Sequence, residues 1–151
     1  MNLVSNLLHT ACVLAAAAAL AACSAPSGHD YPYRPVPFTS VQVTDPFWGQ
    51  RLTASREVTI PLAFSKCEET GRYRNFEEAA RQMHSDENLG FVVRGLPFDD
   101  TDVYKTIEGA SYLLQTYPDA RLEAYIDSVL TIVAAAQEPD GYLNTDRTRK
   151  P

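Results

Sequence analysis

The segment after the last helical pattern carries the side chains best suited to bind a small polar ligand. It reads Gln137-Glu138-Pro139-Asp140-Gly141-Tyr142-Leu143-Asn144, and Gly141 gives its backbone the freedom to turn. The candidate binding residues in it are Gln137, Asp140, Tyr142 and Asn144. Amides and carboxylates exchange hydrogen bonds with hydroxyl groups, and a tyrosine ring stacks on a sugar face. An equally good interpretation is a structural turn that requires Asp-Gly and buries Tyr142.

A second group of polar residues, Asp99, Asp100 and Asp102, stands where another helical pattern begins. Carboxylates at a helix start accept hydrogen bonds from unpaired N–H groups and interact favourably with the helix dipole. We therefore interpret these three acids first as helix caps. Asp102 is in addition a candidate for hydrogen bonding to a hydroxyl group of a ligand.

Metal-binding side chains are few and widely spaced. His84 has no second His or Cys at ligand spacing, and the cysteines are Cys12, Cys23 and Cys67. The sequence therefore predicts no metal site and no cofactor in these residues. It also predicts no internal disulfide, because Cys12 lies in a predicted signal peptide and Cys23 is a predicted lipid attachment site. Cys67 is then the one cysteine left, and we interpret it as a small half-buried hydrophobe.

The charge balance argues against a nucleic-acid-binding surface. The chain has 13 Lys and Arg against 19 Asp and Glu, a formal net charge of −6. The basic residues are scattered among more numerous acids, whereas a nucleic-acid surface gathers them on one face.

The beginning of the chain predicts export. Residues 7–22 are almost wholly apolar and too short for a confident membrane span, as in a secretory signal peptide over residues 1–22. Leu20-Ala21-Ala22-Cys23 resembles the bacterial lipobox, which makes Cys23 the predicted lipid attachment site. Residues 23–37 are rich in Pro and Ser and predict a tether to a bacterial membrane, facing the periplasm or the cell surface. The alternatives are a plain signal peptide and an uncleaved anchor.

The elements that position these groups are mainly helical. Residues 41–44 alternate apolar and polar side chains as a short strand does, and a helix is predicted from Phe47 to about Lys66, kinked or divided at Pro61. One or two helical turns are predicted within residues 75–83. Apolar spacing then predicts two longer helices, from Asp102 to Tyr117 and from Asp119 to Gln137. The short link between them predicts an antiparallel αα-hairpin.

The second helix of this hairpin is apolar around most of its last half. Leu130 and Ile132 add to the apolar face, so one neighbouring helix cannot bury all of it. The sequence ends at Pro151, soon after the turn at residues 137–144. We therefore expect an incomplete fold, in which residues 38–151 are a truncated part of a larger domain.

Five blocks of residues, in order, carry a resemblance to a known family. They are Val43-Thr44-Asp45-Pro46-Phe47-Trp48, Arg56-Glu57-Val58-Thr59-Ile60-Pro61, Asn75-Phe76, Phe98-Asp99-Asp100-Thr101-Asp102-Val103-Tyr104-Lys105 and Ala134-Ala135-Ala136-Gln137-Glu138-Pro139-Asp140-Gly141-Tyr142-Leu143-Asn144-Thr145. The chain resembles the N-terminal part of the β-L-arabinofuranosidase-like glycoside hydrolase family 127 (GH127). The resemblance implies an (α/α)6 barrel, of which these residues are the first three or four helices, with β domains joined by the opening strand.

The resemblance also implies a distinctive chemistry. Family members use a cysteine thiolate as nucleophile beside a zinc ion held by further cysteines and a glutamate, with another glutamate as acid/base. None of these residues can be matched in this chain, so we expect no catalytic residue and no zinc ligand here.

Three functions follow as hypotheses. The first is the N-terminal fragment of an exported glycosidase that acts on carbohydrate in plant-type glycans, inactive alone. The second is a short lipoprotein that serves as a binding or structural module. The third is one half of a split enzyme whose C-terminal half is encoded separately.

Overall fold

A computed structural model describes residues 32–148 of the chain. The predicted signal peptide, Cys23 and the first part of the tether lie outside the described residues. The residues from Pro37 onward form one compact unit. Its helices are α1 (Pro46–Ala54), α2 (Ile60–Glu69), α3 (Arg72–Met83), α4 (Asp100–Thr116), α5 (Ala120–Ala135) and the short α6 (Thr145–Thr148).

Helices α1 and α2 are continuous through a π turn at Ser55–Thr59. The predicted disturbance at Pro61 is therefore present, but as a widened turn rather than a break. Proline has no N–H to donate to the preceding turn, and a π turn accommodates that loss without ending the helix. The Thr59 hydroxyl donates to the carbonyl of Ala54, 3.3 Å away, across this wider turn.

The predicted strand at residues 41–44 does not form within residues 32–148. The segment follows a short 3-10 turn at Phe38–Ser40, and Val41 has the extended φ and ψ of a strand. A strand also needs a partner for its N–H and C=O groups, and no described segment provides one.

The hairpin helices α4 and α5 agree with their predicted positions to within one or two residues. Asp119 caps α5, because its Oδ1 accepts hydrogen bonds from the N–H groups of Arg121 and Leu122. The apolar spacing of both helices supplies much of the core, which comprises Ile60, Phe64, Cys67, Tyr73, Phe76, Ala79, Val103, Ala110, Leu113, Ile126, Val129, Val133 and Ala136.

Helix α3 is longer than predicted and lies at the centre of the fold. It packs against α2, α4, α5 and α6. Its sequence is rich in charged residues, so its apolar pattern is weak. Two of its buried positions are amides, Asn75 and Gln82, which lie seven residues apart and therefore on one face.

These two amides fix the irregular segment that follows α3. Asn75 accepts the N–H of Arg94 (2.9 Å) and donates to the carbonyl of the same residue (3.0 Å). Gln82 accepts the N–H of Leu89 (2.9 Å) and donates to the carbonyl of Glu87 (3.0 Å). Each amide thus pairs with main-chain groups as a neighbouring strand would.

An ion pair closes the far end of this segment. Arg72 Nη2 lies 2.8 Å from Asp99 Oδ2, and both side chains are largely buried. Gly95 lies against the pair with a φ of +89°, and a Cβ atom there would be 2.0 Å from Asp99 Oδ2. A side chain at this position would therefore displace the Asp99 carboxylate.

None of the helices found between residues 32 and 148 combines the length and apolar character needed to cross a membrane.

The clearest pH dependence of stability comes from Glu78 of α3. Its side chain is 12% exposed and has three arginine neighbours, Arg74, Arg81 and Arg94, at 3.1 to 3.5 Å. Burial by itself raises the pKa of Glu78, but the Arg74 hydrogen bond and the charges of the three arginines outweigh it and lower the pKa.

We predict that Glu78→Gln lowers the free energy of unfolding by about 1–2 kcal/mol at neutral pH. Because the folded pKa is depressed, this stabilisation is present above the pKa of the unfolded chain and disappears as the pH falls through the folded pKa. Urea unfolding at neutral pH and at about pH 3 measures it. The neighbouring exposed Glu77→Gln is the matched control, and an equal loss in both variants at neutral pH would contradict the prediction.

Candidate functional site

The turn after α5 is a closed main-chain structure. The N–H of Gly141 donates to the carbonyl of Glu138, and the N–H of Glu138 donates to the carbonyl of Tyr142, both at 2.8 Å. Gly141 has a φ of +90°, in the region that favours glycine. The predicted requirement for Gly141 is therefore confirmed.

Three of the four predicted binding residues in this turn hydrogen-bond within their own segment. Gln137 Nε2 donates to the carbonyl of Gly141 (2.9 Å), and Asp140 Oδ1 accepts the N–H of Tyr142 (2.9 Å). Asn144 Oδ1 accepts the N–H of Arg147 at the start of α6 (2.8 Å). These contacts favour a structural role for the three side chains, and their binding roles stay predictions.

Tyr142 is not buried by the turn. Its side chain is 46% exposed, and the guanidinium carbon of Arg147 lies 4.7 Å from the ring centroid. The alternative in which the turn buries Tyr142 is therefore wrong. The ring is held from one side by a cation–π contact, and its role in stacking on a sugar stays a prediction.

Glu138 organises this region, although no sequence pattern pointed to it. Both of its carboxylate oxygens lie 2.8 Å from Arg147 Nη1, and Thr148 Oγ1 donates to Oε1 at 3.0 Å. The three residues tie the turn to α6. The nine-residue separation of Glu138 and Arg147 crosses a turn, so helical spacing gives no signal for the pair.

The acids at the start of α4 contact other segments and make no side-chain helix cap, which corrects the first interpretation. Asp99, at the N-cap position, makes no side-chain cap and instead accepts the N–H of Leu96 (2.7 Å) and pairs with Arg72. Asp102 is exposed and lies 3.2 Å from Arg72 Nε. Sequence spacing could not reveal Arg72 as a partner, because it lies on a different helix.

Asp100 makes the best-buried polar contact of the site. Its Oδ2 accepts the N–H of Thr145 (2.8 Å), and its Oδ1 accepts the Thr145 hydroxyl (2.7 Å). Asp100 is 4% exposed and Thr145 1% exposed. The start of α4 is thus joined directly to the segment that carries the candidate turn.

The turn forms one wall of a cavity of about 580 Å³. The opposite wall is the loop 84–88, which follows α3. The lining residues are Gln82, Met83, His84, Ser85, Asp86, Glu87, Asn88, Ala135, Gln137, Glu138, Pro139, Arg147 and Thr148. Of the predicted binding residues, only Gln137 lines this cavity; Asp102, Asp140, Tyr142 and Asn144 do not.

Cys67 is buried in the core, with its Sγ 3.9 Å from Thr106 Oγ1. Burial raises the pKa of its thiol, which therefore stays protonated at neutral pH. Within residues 32–148, no group of three or more His, Cys, Asp and Glu side chains is arranged to hold a metal ion. The described residues thus do not fit a zinc-bound thiolate centre.

Comparisons with a family model, a related protein and solved structures all point to one family. Residues 40–151 match the family described as Beta-L-arabinofuranosidase, GH127 catalytic domain. The non-reducing end β-L-arabinofuranosidase of Bifidobacterium longum subsp. longum is 33% identical over an alignment of 119 residues, and the match covers 70% of this chain and 18% of that protein.

Two solved structures support the same assignment. A GH127 β-arabinofuranosidase superposes with a TM-score of 0.73 at 71% identity, covering 81% of this chain and 18% of its own. A GH127 β-L-arabinofuranosidase from Geobacillus stearothermophilus T6 gives a TM-score of 0.62 at 34% identity, covering 72% of this chain and 17% of its own.

The fold and these matches define part of a glycoside hydrolase catalytic domain. The chain belongs to the GH127 β-L-arabinofuranosidase family, and its helices are part of an (α/α)6 barrel. The chain spans less than a fifth of the length of the relatives that it matches.

We predict that Thr145→Val lowers the free energy of unfolding by about 1.5–3 kcal/mol, because it leaves a buried oxygen of Asp100 without its hydroxyl donor. Denaturant unfolding of the full chain measures the change. The matched control is Thr131→Val, whose hydroxyl donates to the carbonyl of Asp127 at the surface. Equal effects of the two substitutions would contradict a special role for the Asp100–Thr145 contact.

Proposed function

We propose that this chain supplies part of the catalytic domain of an enzyme that releases β-L-arabinofuranose units from plant-type glycans, and that these residues alone do not hydrolyse them. The observation that carries the proposal is the 71% identity to a solved GH127 β-arabinofuranosidase over 81% of the chain.

The described side chains support the proposed lack of activity. A retaining glycosidase needs a nucleophile and an acid/base at the two sides of the scissile bond. Cys67 is buried and protonated, and the Asp99 and Asp100 carboxylates are held by Arg72 and Thr145. None of these groups presents a free nucleophile or a proton donor to a substrate.

Exposed apolar side chains support packing of this segment against more of the same catalytic domain. Helix α1 has no buried residue, and its Phe47 and Trp48 are 54% and 58% exposed. Val58 in the π turn and Leu62 in α2 are also exposed. Exposure of several large apolar side chains costs a few kcal/mol, which burial against further helices would recover.

A segment exchange tests the proposed function. Residues 40–148 replace the matching segment of the 71% identical relative, and hydrolysis of p-nitrophenyl β-L-arabinofuranoside is measured. We expect kcat/KM within about tenfold of the parent enzyme, and no hydrolysis by the 151-residue chain alone. A folded chimera without activity, or hydrolysis by the chain alone, would overturn the proposal; the relative with this segment deleted is the control.

We further propose that the chain is exported and anchored to a bacterial membrane through a lipid on Cys23, which supports access to extracellular glycans. We predict that Cys23→Ser abolishes incorporation of labelled palmitate and moves the protein from the membrane fraction to the soluble fraction. Cys67→Ser, which changes a cysteine inside the fold, is the control and retains the label. Unchanged labelling of Cys23→Ser would contradict the lipid anchor.

A further inference from the structure

We propose that the cavity between loop 84–88 and turn 137–139 binds a neutral sugar unit of the glycan. This inference rests on the proposed function, because it takes the ligand to be part of a glycosidase substrate. The cavity volume of about 580 Å³ lies within the range of roughly 300–1,000 Å³ typical of small-molecule sites.

Both walls of the cavity are fixed by contacts that do not depend on a ligand. Gln82 holds the loop through the carbonyl of Glu87 and the N–H of Leu89. Glu138 holds the turn through Arg147 and Thr148. A site whose walls are ordered beforehand loses little conformational freedom when it binds.

The charges at the cavity select the class of ligand. Asp86, Glu87 and Glu138 contribute three carboxylates, and Arg147 is already paired with one of them. An excess of carboxylates disfavours phosphorylated or uronic acid ligands, because like charges repel. A neutral polyhydroxyl ligand avoids this repulsion, and its hydroxyl groups can donate hydrogen bonds to the carboxylates.

The remaining lining groups also match a sugar. His84 offers two ring nitrogens. The Ser85 hydroxyl and the Asn88 and Gln137 amides each make one main-chain hydrogen bond, to Glu87, Gly90 and Gly141, and keep further donor and acceptor capacity. The described lining residues include no Phe, Tyr or Trp, so a flat aromatic ligand or a quaternary ammonium group would find no ring to stack on. Within the described residues no lining group is arranged to hold a metal ion.

Titration of the full chain in mild detergent with methyl β-L-arabinofuranoside tests the proposal, with backbone amides observed by NMR. We expect saturable shifts at the amides of residues 84–88 and 137–139, and none there with inorganic phosphate. Shifts confined to residues 140–144, shifts with phosphate alone, or a folded spectrum that the sugar leaves unchanged would each overturn it.

Charge-removing variants locate the site. Asp86→Asn and Glu87→Gln are expected to raise the dissociation constant for the sugar about tenfold, which is about 1.4 kcal/mol. Asp127→Asn removes the same charge from the exposed face of α5 and is expected to leave binding unchanged. Equal binding by folded Asp86→Asn, Glu87→Gln and Asp127→Asn would overturn the assignment.

The chimera separates this proposal from the proposed function. In that enzyme, Asp86→Asn is expected to raise KM for a β-L-arabinofuranosyl oligosaccharide several-fold, and Asp127→Asn is expected to leave this KM unchanged. An active chimera in which Asp86→Asn and Asp127→Asn give the same KM overturns the cavity site alone, whereas an inactive chimera overturns the proposed function.

Discussion

The pairing of two buried amides of α3 with the main chain is the interaction on which the rest of this structure depends. Asn75 and Gln82 together satisfy four main-chain groups in a segment of the chain that has no regular secondary structure. Unpaired N–H and C=O groups next to a core cost about 1–3 kcal/mol each. The irregular segment between α3 and α4 can therefore lie against the core only because these amides complete its hydrogen bonding.

The contacts of the candidate site follow from that arrangement. Because the segment is fixed against α3, Asp99 reaches Arg72, and the start of α4 is placed where Asp100 meets Thr145. Thr145 in turn positions the segment that Glu138 and Arg147 tie to the turn. The cavity lies between the loop held by Gln82 and this turn, so both of its walls depend on contacts of α3 or of the segments that α3 orders.

The sequence predicted the parts of the fold that local apolar spacing controls. The predicted bounds of α4 and α5 agree closely with the observed ones because their apolar residues recur on one face. The need for Gly141 was predictable because the turn requires a residue that tolerates a positive φ. Helix α3 was underestimated because two of its buried positions are amides, which carry no apolar signal. Asp99 and Asp100 stand at a helix start and so predicted caps, but their partners lie on other elements and the contacts are tertiary. Glu138 carried no signal for the same reason, because its partner Arg147 lies on α6. Residues 41–44 carry the alternating pattern of a strand, but no strand forms there because no described segment pairs with them.

Hydrogen exchange of the native chain tests the central role of the α3 amides most directly. The N–H groups of Arg94 and Leu89, which donate to Asn75 and Gln82, should exchange as slowly as the core amides of α4 and α5. The N–H of Gly90 donates to the exposed side chain of Asn88 and should exchange fast. If the N–H groups of Arg94 and Leu89 exchange as fast as that of Gly90, the amide pairs hold neither this segment nor the cavity wall that it forms.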